Sequence, residues 1–120
     1  MPTILFPTTH GADDPERAIV PYIAAATAAV SGQHPIVVCT ADAVNVGIPG
    51  WAEEIEDDGL PNLADLLRQI TDGGGEVWLC SACTTKRGIT GDQIRRETTI
   101  VGAATIVEQV ALGARSITLT

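Results

Sequence analysis

A chain of 120 residues, 45% of them hydrophobic, has room for one core and not for two, so residues 1–120 are read as a single domain. The formal net charge is −8, and five of the acidic residues stand together as Glu53, Glu54, Glu56, Asp57 and Asp58. That balance excludes the basic stripe of a nucleic-acid binder and the cationic face of a protein that docks on anionic membranes, while the hydrophobic content excludes disorder.

The first strand is expected over residues 3–8, where Ile4, Leu5 and Phe6 form the continuous apolar run of a buried parallel strand. A loop follows at Thr9, His10, Gly11 and Ala12. Asp14, Pro15 and Glu16 then make a strong helix start: a capping carboxylate, a proline suited to the first turn, and an acid at the positive end of the dipole. This helix is expected to reach about residue 30, with Ile19, Ile23, Ala26 and Val30 on one face and Pro21 inside it. Its remaining faces are mostly alanine, which points to packing on more than one side. Residues 31–35 read as a turn and 36–40 as a second buried strand.

A short helical turn is expected over 42–46. Residues 47–59, with Trp51 and the acidic run, form a connection long enough to suggest a lid or a contact surface. Leu63, Leu66, Leu67 and Ile70 follow the spacing of an amphipathic helix, which Gly73, Gly74 and Gly75 stop. These glycines end a helix instead of opening one, and no Gly-Lys-Ser/Thr follows, so they are no phosphate loop. A third strand is expected at 77–80, a helical turn at 81–86, and a short helix capped by Thr90 through residue 94. A fourth strand is placed at 98–101, and a helix at 103–112 with Val107, Val110 and Ala111 inward. An edge strand at 116–120 would have Ile117 and Leu119 on its apolar face.

Strands alternating with helices imply right-handed βαβ units, hence an α/β fold: three layers, α/β/α, Rossmann-like, around a mainly parallel sheet of about five strands. In such sheets chemistry collects beyond the carboxyl ends of the strands. His10 follows the first strand, Asp42 the second, and Cys80 closes the third, so their loops should open on one edge.

The start of the chain shows neither a charged n-region nor a long apolar segment, and the run over 18–30 is too short to span a bilayer. The expected setting is cytoplasmic, with no membrane partner and with the three cysteines resting as thiols. Cys80 and Cys83 form a Cys-x-x-Cys pair at the end of a strand, with Lys86 and Arg87 just beyond. A helix start and nearby cations would favour the Cys80 thiolate. Three uses of the pair are open. A zinc site would need a second half, and none is visible, since Cys39 is a core position and His10 and His34 are isolated; no metal is expected. Dithiol exchange of the thioredoxin type would need a later proline, and the last is Pro61. Sulfur transfer would use Cys80 as the persulfide bearer, with Cys83 releasing the sulfur or serving as an alternative acceptor. No cofactor is implied by any of these. His10 and Gly11, with Lys86 and Arg87, are the candidate binding residues around the thiols.

Two segments carry a resemblance. Thr9-His10-Gly11-Ala12-Asp13-Asp14-Pro15-Glu16-Arg17-Ala18, and Val77-Trp78-Leu79-Cys80-Ser81-Ala82-Cys83 with Lys86-Arg87-Gly88-Ile89, resemble the opening and cysteine segments of the DsrE/DsrF-like family; Ile100-Val101-Gly102-Ala103-Ala104 fits its closing part. The resemblance spans nearly the whole chain. It implies a small α/β/α domain that assembles into trimers, hexamers or hetero-oligomers. It also implies a sulfur carrier of the sulfurtransferase type that exchanges with donor or acceptor proteins, with Cys80 at the position of the working cysteine. Cys83 belongs to some branches of the family only. A second reading is a non-catalytic oligomeric binding or thiol-redox module with a reversible Cys80–Cys83 disulfide. A third is a small-molecule binding domain that uses the loop from His10 to Asp14.

Overall fold

The structure is a computed structural model and describes residues 2–119. Five parallel strands, β1 (Thr3–Thr8), β2 (His34–Cys39), β3 (Glu76–Cys80), β4 (Thr98–Val101) and β5 (Arg115–Ser116), lie in the order β4-β3-β2-β1-β5. Four α-helices connect or flank them: α1 (Pro15–Val30), α2 (Leu63–Asp72), α3 (Ser81–Lys86) and α4 (Ala103–Ala111). Two short 3-10 turns, Ala41–Gly47 and Ala52–Glu54, occupy the long connection after β2. The α/β architecture expected from the sequence is the observed one.

The chain steps β1, β2, β3, β4 in one direction, and right-handed crossovers then place α1 and α2 on one face of the sheet. That face holds the main core, in which Phe6, Ile19, Tyr22, Val37, Leu63, Leu67, Ile70, Val77 and Leu79 are sealed from water. Asp14 caps α1, its carboxylate accepting from the N–H of Arg17, and Asn62 caps α2 in the same way toward Ala64. Pro21 sits within α1 without ending it; the carbonyl it leaves without an intrahelical donor is that of Arg17, an exposed residue near the helix start.

The last step reverses. After β4 the chain crosses to the other face and returns beside β1, so α4 alone covers Leu5, Ile36, Val38 and Trp78. Only Ile106 of α4, with Val101 and Ala114 flanking it, packs on that cluster. Val107 is 65% exposed and Val110 53%, and Ala111 is exposed as well, so the expected inward set of this helix is corrected: its apolar stripe is turned away from the sheet. Val30 is likewise exposed, at the last turn of α1. Residues 90–94 form turns and no helix: the Thr90 hydroxyl bonds Asp92 and the Thr90 N–H donates to the Gln93 side chain, one half of a capping box, but no helix propagates from it. The final strand is only Arg115–Ser116; Ile117 adds one backbone bond to Leu5 and the ladder stops. Strand β2 begins at His34, earlier than expected, where the His34 N–H reaches the carbonyl of Pro2. Among the described residues no helix is long and apolar enough to cross a membrane.

Candidate functional site

Cys80 is the last residue of β3 and the N-cap of α3, with extended backbone angles that turn the chain from sheet into helix. It pairs in register with Val101 of β4. The two neighbouring strands feed helices on opposite faces. Cys83 of α3 and Ile89 just beyond it pack with the α1–α2 side, whereas Ile106 of α4 packs on the other. The gap beyond Cys80 and Gly102 is therefore the topological switch point of the sheet, where open α/β sheets form their crevice.

The Cys80 sulfur is half-buried at this gap. As the N-cap of α3, Cys80 stands beside the first backbone N–H groups of the helix without a side-chain capping bond, and the N–H of Cys83 is the main reason its pKa lies below the ordinary thiol value. Partial burial opposes this, and the Ala82 N–H and the Cys83 thiol add to the lowering. The expected lowering by Lys86 and Arg87 is not what operates here. Lys86 is exposed and makes no ion pair among the described residues. Arg87 is committed elsewhere: one guanidinium nitrogen donates to the Cys83 carbonyl at 3.2 Å and the other to the Asp42 carboxylate at 2.8 Å.

The Asp42–Arg87 pair ties α3 to the turn Ala41–Gly47 after β2. A second tie is closer to the chemistry. Ala41 donates its N–H to the Cys83 sulfur at 3.2 Å, and it does so with φ +51, the only positive φ at a non-glycine among the described residues. The left-handed conformation costs an alanine about 1 kcal/mol, and strain of this kind collects where a backbone group has to be aimed. Sequence reasoning missed Ala41 altogether, since nothing in its side chain signals the conformation. It also missed the pairing of Asp42 with Arg87, although both residues had been placed at this edge.

The loop after β1 closes the same edge. Gly11 is buried against the second turn so tightly that a Cβ there would stand 2.9 Å from the Asp42 carbonyl oxygen. Asp13 holds the loop, accepting from the Gly11 N–H at 2.7 Å and from His10 Nδ1 at 3.0 Å. The Gly11 N–H foremost, then His10, keep its carboxyl below the usual range. An ionised carboxylate only accepts, so Nδ1 carries the proton toward Asp13 and Nε2 is left open. No hydrogen bond among the described residues joins His10 to either cysteine. The structure thus brings together Gly11, Asp42, Cys83 and Arg87 with Cys80, keeps His10 at the rim, and leaves Lys86 in solvent.

The third cysteine is of another kind. Cys39 is fully buried, its sulfur 3.4 Å from the Tyr22 hydroxyl, and burial pushes its pKa up to about 12. It is a core side chain, in line with its place in a β-branched strand. A cavity of about 560 Å³ runs along the acidic segment, lined by Glu56, Asp57, Asp58, Gly59, Leu60 and Asn62, none of them at the cysteine edge. Among the described residues no three His, Cys, Asp or Glu side chains are grouped to hold a metal.

Comparison with known proteins agrees with this geometry at the level of family and fold. The uncharacterized protein MJ0760 of Methanocaldococcus jannaschii is 23% identical over 103 residues, which make up 86% of this chain and 38% of that protein. The chain therefore spans well under half the length of this curated relative. Among solved structures, the ychN protein from E. coli superposes with a TM-score of 0.79 at 21% identity, over 99% of this chain and 100% of that one. MTH1491 of Methanobacterium thermoautotrophicum, described as a protein of unknown function, gives 0.76 at 19% identity, over 99% and 100%. These two likenesses show the shared fold. The DsrE/DsrF-like family model matches residues 3–119, and the chain belongs to the DsrE/DsrF-like family.

Proposed function

We propose that the protein is a sulfur carrier: Cys80 takes up sulfane sulfur as a persulfide and passes it to a partner. The observation that carries this reading is the place of Cys80, last residue of β3 and N-cap of α3, at the switch point of the sheet, where the first N–H groups of the helix favour the thiolate. A thiolate is the nucleophile that attacks a sulfane sulfur, and the same donors favour the persulfide anion that results. Membership of the DsrE/DsrF-like family supports the reading, because the resemblance implies a sulfur carrier with Cys80 at the position of the working cysteine. A thiol carrier needs a compartment that keeps its cysteines reduced, which favours the cytoplasm.

The carrier is proposed to work as a homo-oligomer. Val107, Val110 and Leu112 are 65%, 53% and 74% exposed, and Ile117 and Leu119 further along the chain are exposed as well, while one short helix covers that face of the sheet. A second copy of this chain would remove that apolar stripe from water.

The test of the carrier is intact-mass measurement after anaerobic incubation with inorganic polysulfide, followed by desalting. The Cys83→Ser variant should become one sulfur atom heavier, and the Cys80→Ser variant should not. Absence of a gain that depends on Cys80 overturns the reading. The thiol-redox module remains the second reading because Cys83 stands on the first turn of the helix that Cys80 caps, at disulfide spacing in the chain; it predicts loss of two hydrogens in the wild type and no sulfur gain in either variant.

A further inference from the structure

A pure carrier has no use for a second thiol beside its cargo, because a neighbouring thiol can attack the persulfide and expel the sulfur. This chain has that thiol, and the surrounding structure holds it in place. Cys83 stands three residues after Cys80, on the first turn of α3, whose N-cap is Cys80 itself. Helix geometry puts the two Cα atoms about 5–6 Å apart, inside the usual window for a disulfide of about 4.4–6.8 Å. The sulfur of Cys83 accepts the N–H of Ala41, which adopts the left-handed conformation to offer it. Arg87 clamps the Cys83 carbonyl and Asp42 together, so the turn that supplies the donor and the helix that carries the thiol are fixed to one another. Cys39 shows the contrast: a cysteine kept for packing is fully buried, whereas Cys83 is only half-buried, at the same edge as Cys80.

We infer that the protein also discharges its sulfur reductively, with Cys83 attacking the Cys80 sulfur of the persulfide and releasing sulfide. This rests on the persulfide reading of Cys80. In the step, a bond forms between the Cys83 and Cys80 sulfurs and the bond from Cys80 to its outer sulfur breaks. The bonding electron pair leaves with the outer sulfur, and the proton of the Cys83 thiol goes with it, giving HS⁻. The outer sulfur is reduced by one electron and the Cys83 sulfur is oxidised by one, while the Cys80 sulfur exchanges one S–S bond for another and keeps its oxidation state. No external oxidant or reductant enters this step. A further cycle requires a dithiol reductant, small-molecule or protein, to reopen Cys80–Cys83 by exchange. The activity is therefore conversion of sulfane sulfur to sulfide at the expense of a dithiol, and transfer to an acceptor competes with it.

The experiment uses the full chain, reduced, desalted and kept anaerobic, as wild type, Cys83→Ser, Cys83→Ala and Cys80→Ser. Each is loaded with inorganic polysulfide, desalted again, and followed by intact mass under non-reducing conditions, with sulfide measured in the loaded and desalted fractions. The two Cys83 variants should stay one sulfur heavier. The wild type should lose its extra sulfur roughly tenfold or more faster than they do, as expected for an intramolecular attack, ending two hydrogens lighter with one sulfide released per chain. If the wild type keeps its sulfur as long as the Cys83 variants, the discharge is overturned and the carrier reading stands. Failure of both Cys83 variants to take up sulfur overturns the carrier reading and the discharge with it. Sulfur gained by Cys80→Ser would reverse the roles of the two thiols and overturn both assignments.

Discussion

Cys80 and Cys39 carry the same side chain and meet opposite fates. Apolar burial penalises the charged form and pushes Cys39 up to about 12, so it is inert. At Cys80 the backbone N–H groups of Cys83 and Ala82 outweigh the burial, and the pKa falls. A lowered pKa means that the folded state favours the thiolate. The stability this contributes is present above the unfolded thiol value and is lost as pH falls through the folded one. Alkylation of Cys80 should therefore reach half its maximal rate below the ordinary thiol pKa of about 8.5, and unfolding in urea should return the profile to that value. Cys83→Ala should shift the midpoint only part of the way back, because the foremost cause is the backbone N–H of residue 83, which the substitution keeps. A pH–rate profile of alkylation in the wild type, the variant and urea checks this; a wild-type midpoint at or above the ordinary value would remove the physical basis for a nucleophilic Cys80. From the sequence, the place of Cys80 at the sheet edge and of Cys39 in the core was legible through their neighbours. The cause of the lowered Cys80 pKa was not, because it lies in the backbone N–H groups at the start of α3 and not in nearby charge.

At the scale of elements, the site is held by three loops that touch. Gly11 meets the turn Ala41–Gly47, that turn meets α3 through Asp42, Arg87 and Cys83, and α3 begins at Cys80. Gly11→Ala places a methyl group 2.9 Å from the Asp42 carbonyl, a backbone atom that no rotamer change can move aside. The substitution should cost about 1–3 kcal/mol, and it should loosen the donor at Ala41, so that Cys83 is alkylated faster. Urea unfolding and peptide-level alkylation measure the two effects; an unchanged stability would mean that the loops are not in contact. Elements with a local signal were legible in the sequence: the Asp14 cap of α1, and the stripe of Leu63, Leu66, Leu67 and Ile70 on α2, all buried. Elements decided by competition were not. Thr90 makes the N–H bond to Gln93 that a helix start would use, yet its hydroxyl goes to Asp92 and the segment stays a turn.

Across the whole molecule, the two faces of the sheet are unequally covered. Helices α1 and α2 seal one side, and α4 lies over the other with its valines outward. Replacing Val107 and Leu112 together by Asp should keep the fold, since neither is buried, and should reduce the molecular mass in solution to that of a single chain. Light scattering on the wild type and the double variant tests this; a wild type that is already monomeric would overturn the assembly. The acidic segment also has an internal partner at this scale. Glu53 binds Arg95 at 3.1 Å, and Arg95, itself only 10% exposed, binds Glu97 at 3.2 Å and holds its carboxyl below the usual range. Part of the acidic run is thus a clasp between the connection after β2 and the approach to β4.

The sequence by itself determined the order of strands and helices, the parallel sheet, and the edge at which Cys80 and Cys83 stand, because each depends on a local pattern of apolar spacing, caps and glycines. The tertiary structure alone decided which groups act on the thiols. The left-handed Ala41, the Arg87 bridge from Cys83 to Asp42, and the close approach of Gly11 join residues tens of positions apart in the chain. The outward turn of α4 has the same origin: a helical stripe shows that one face is apolar, and only the sheet's strand order and the packing of Ile106 show which side meets the core.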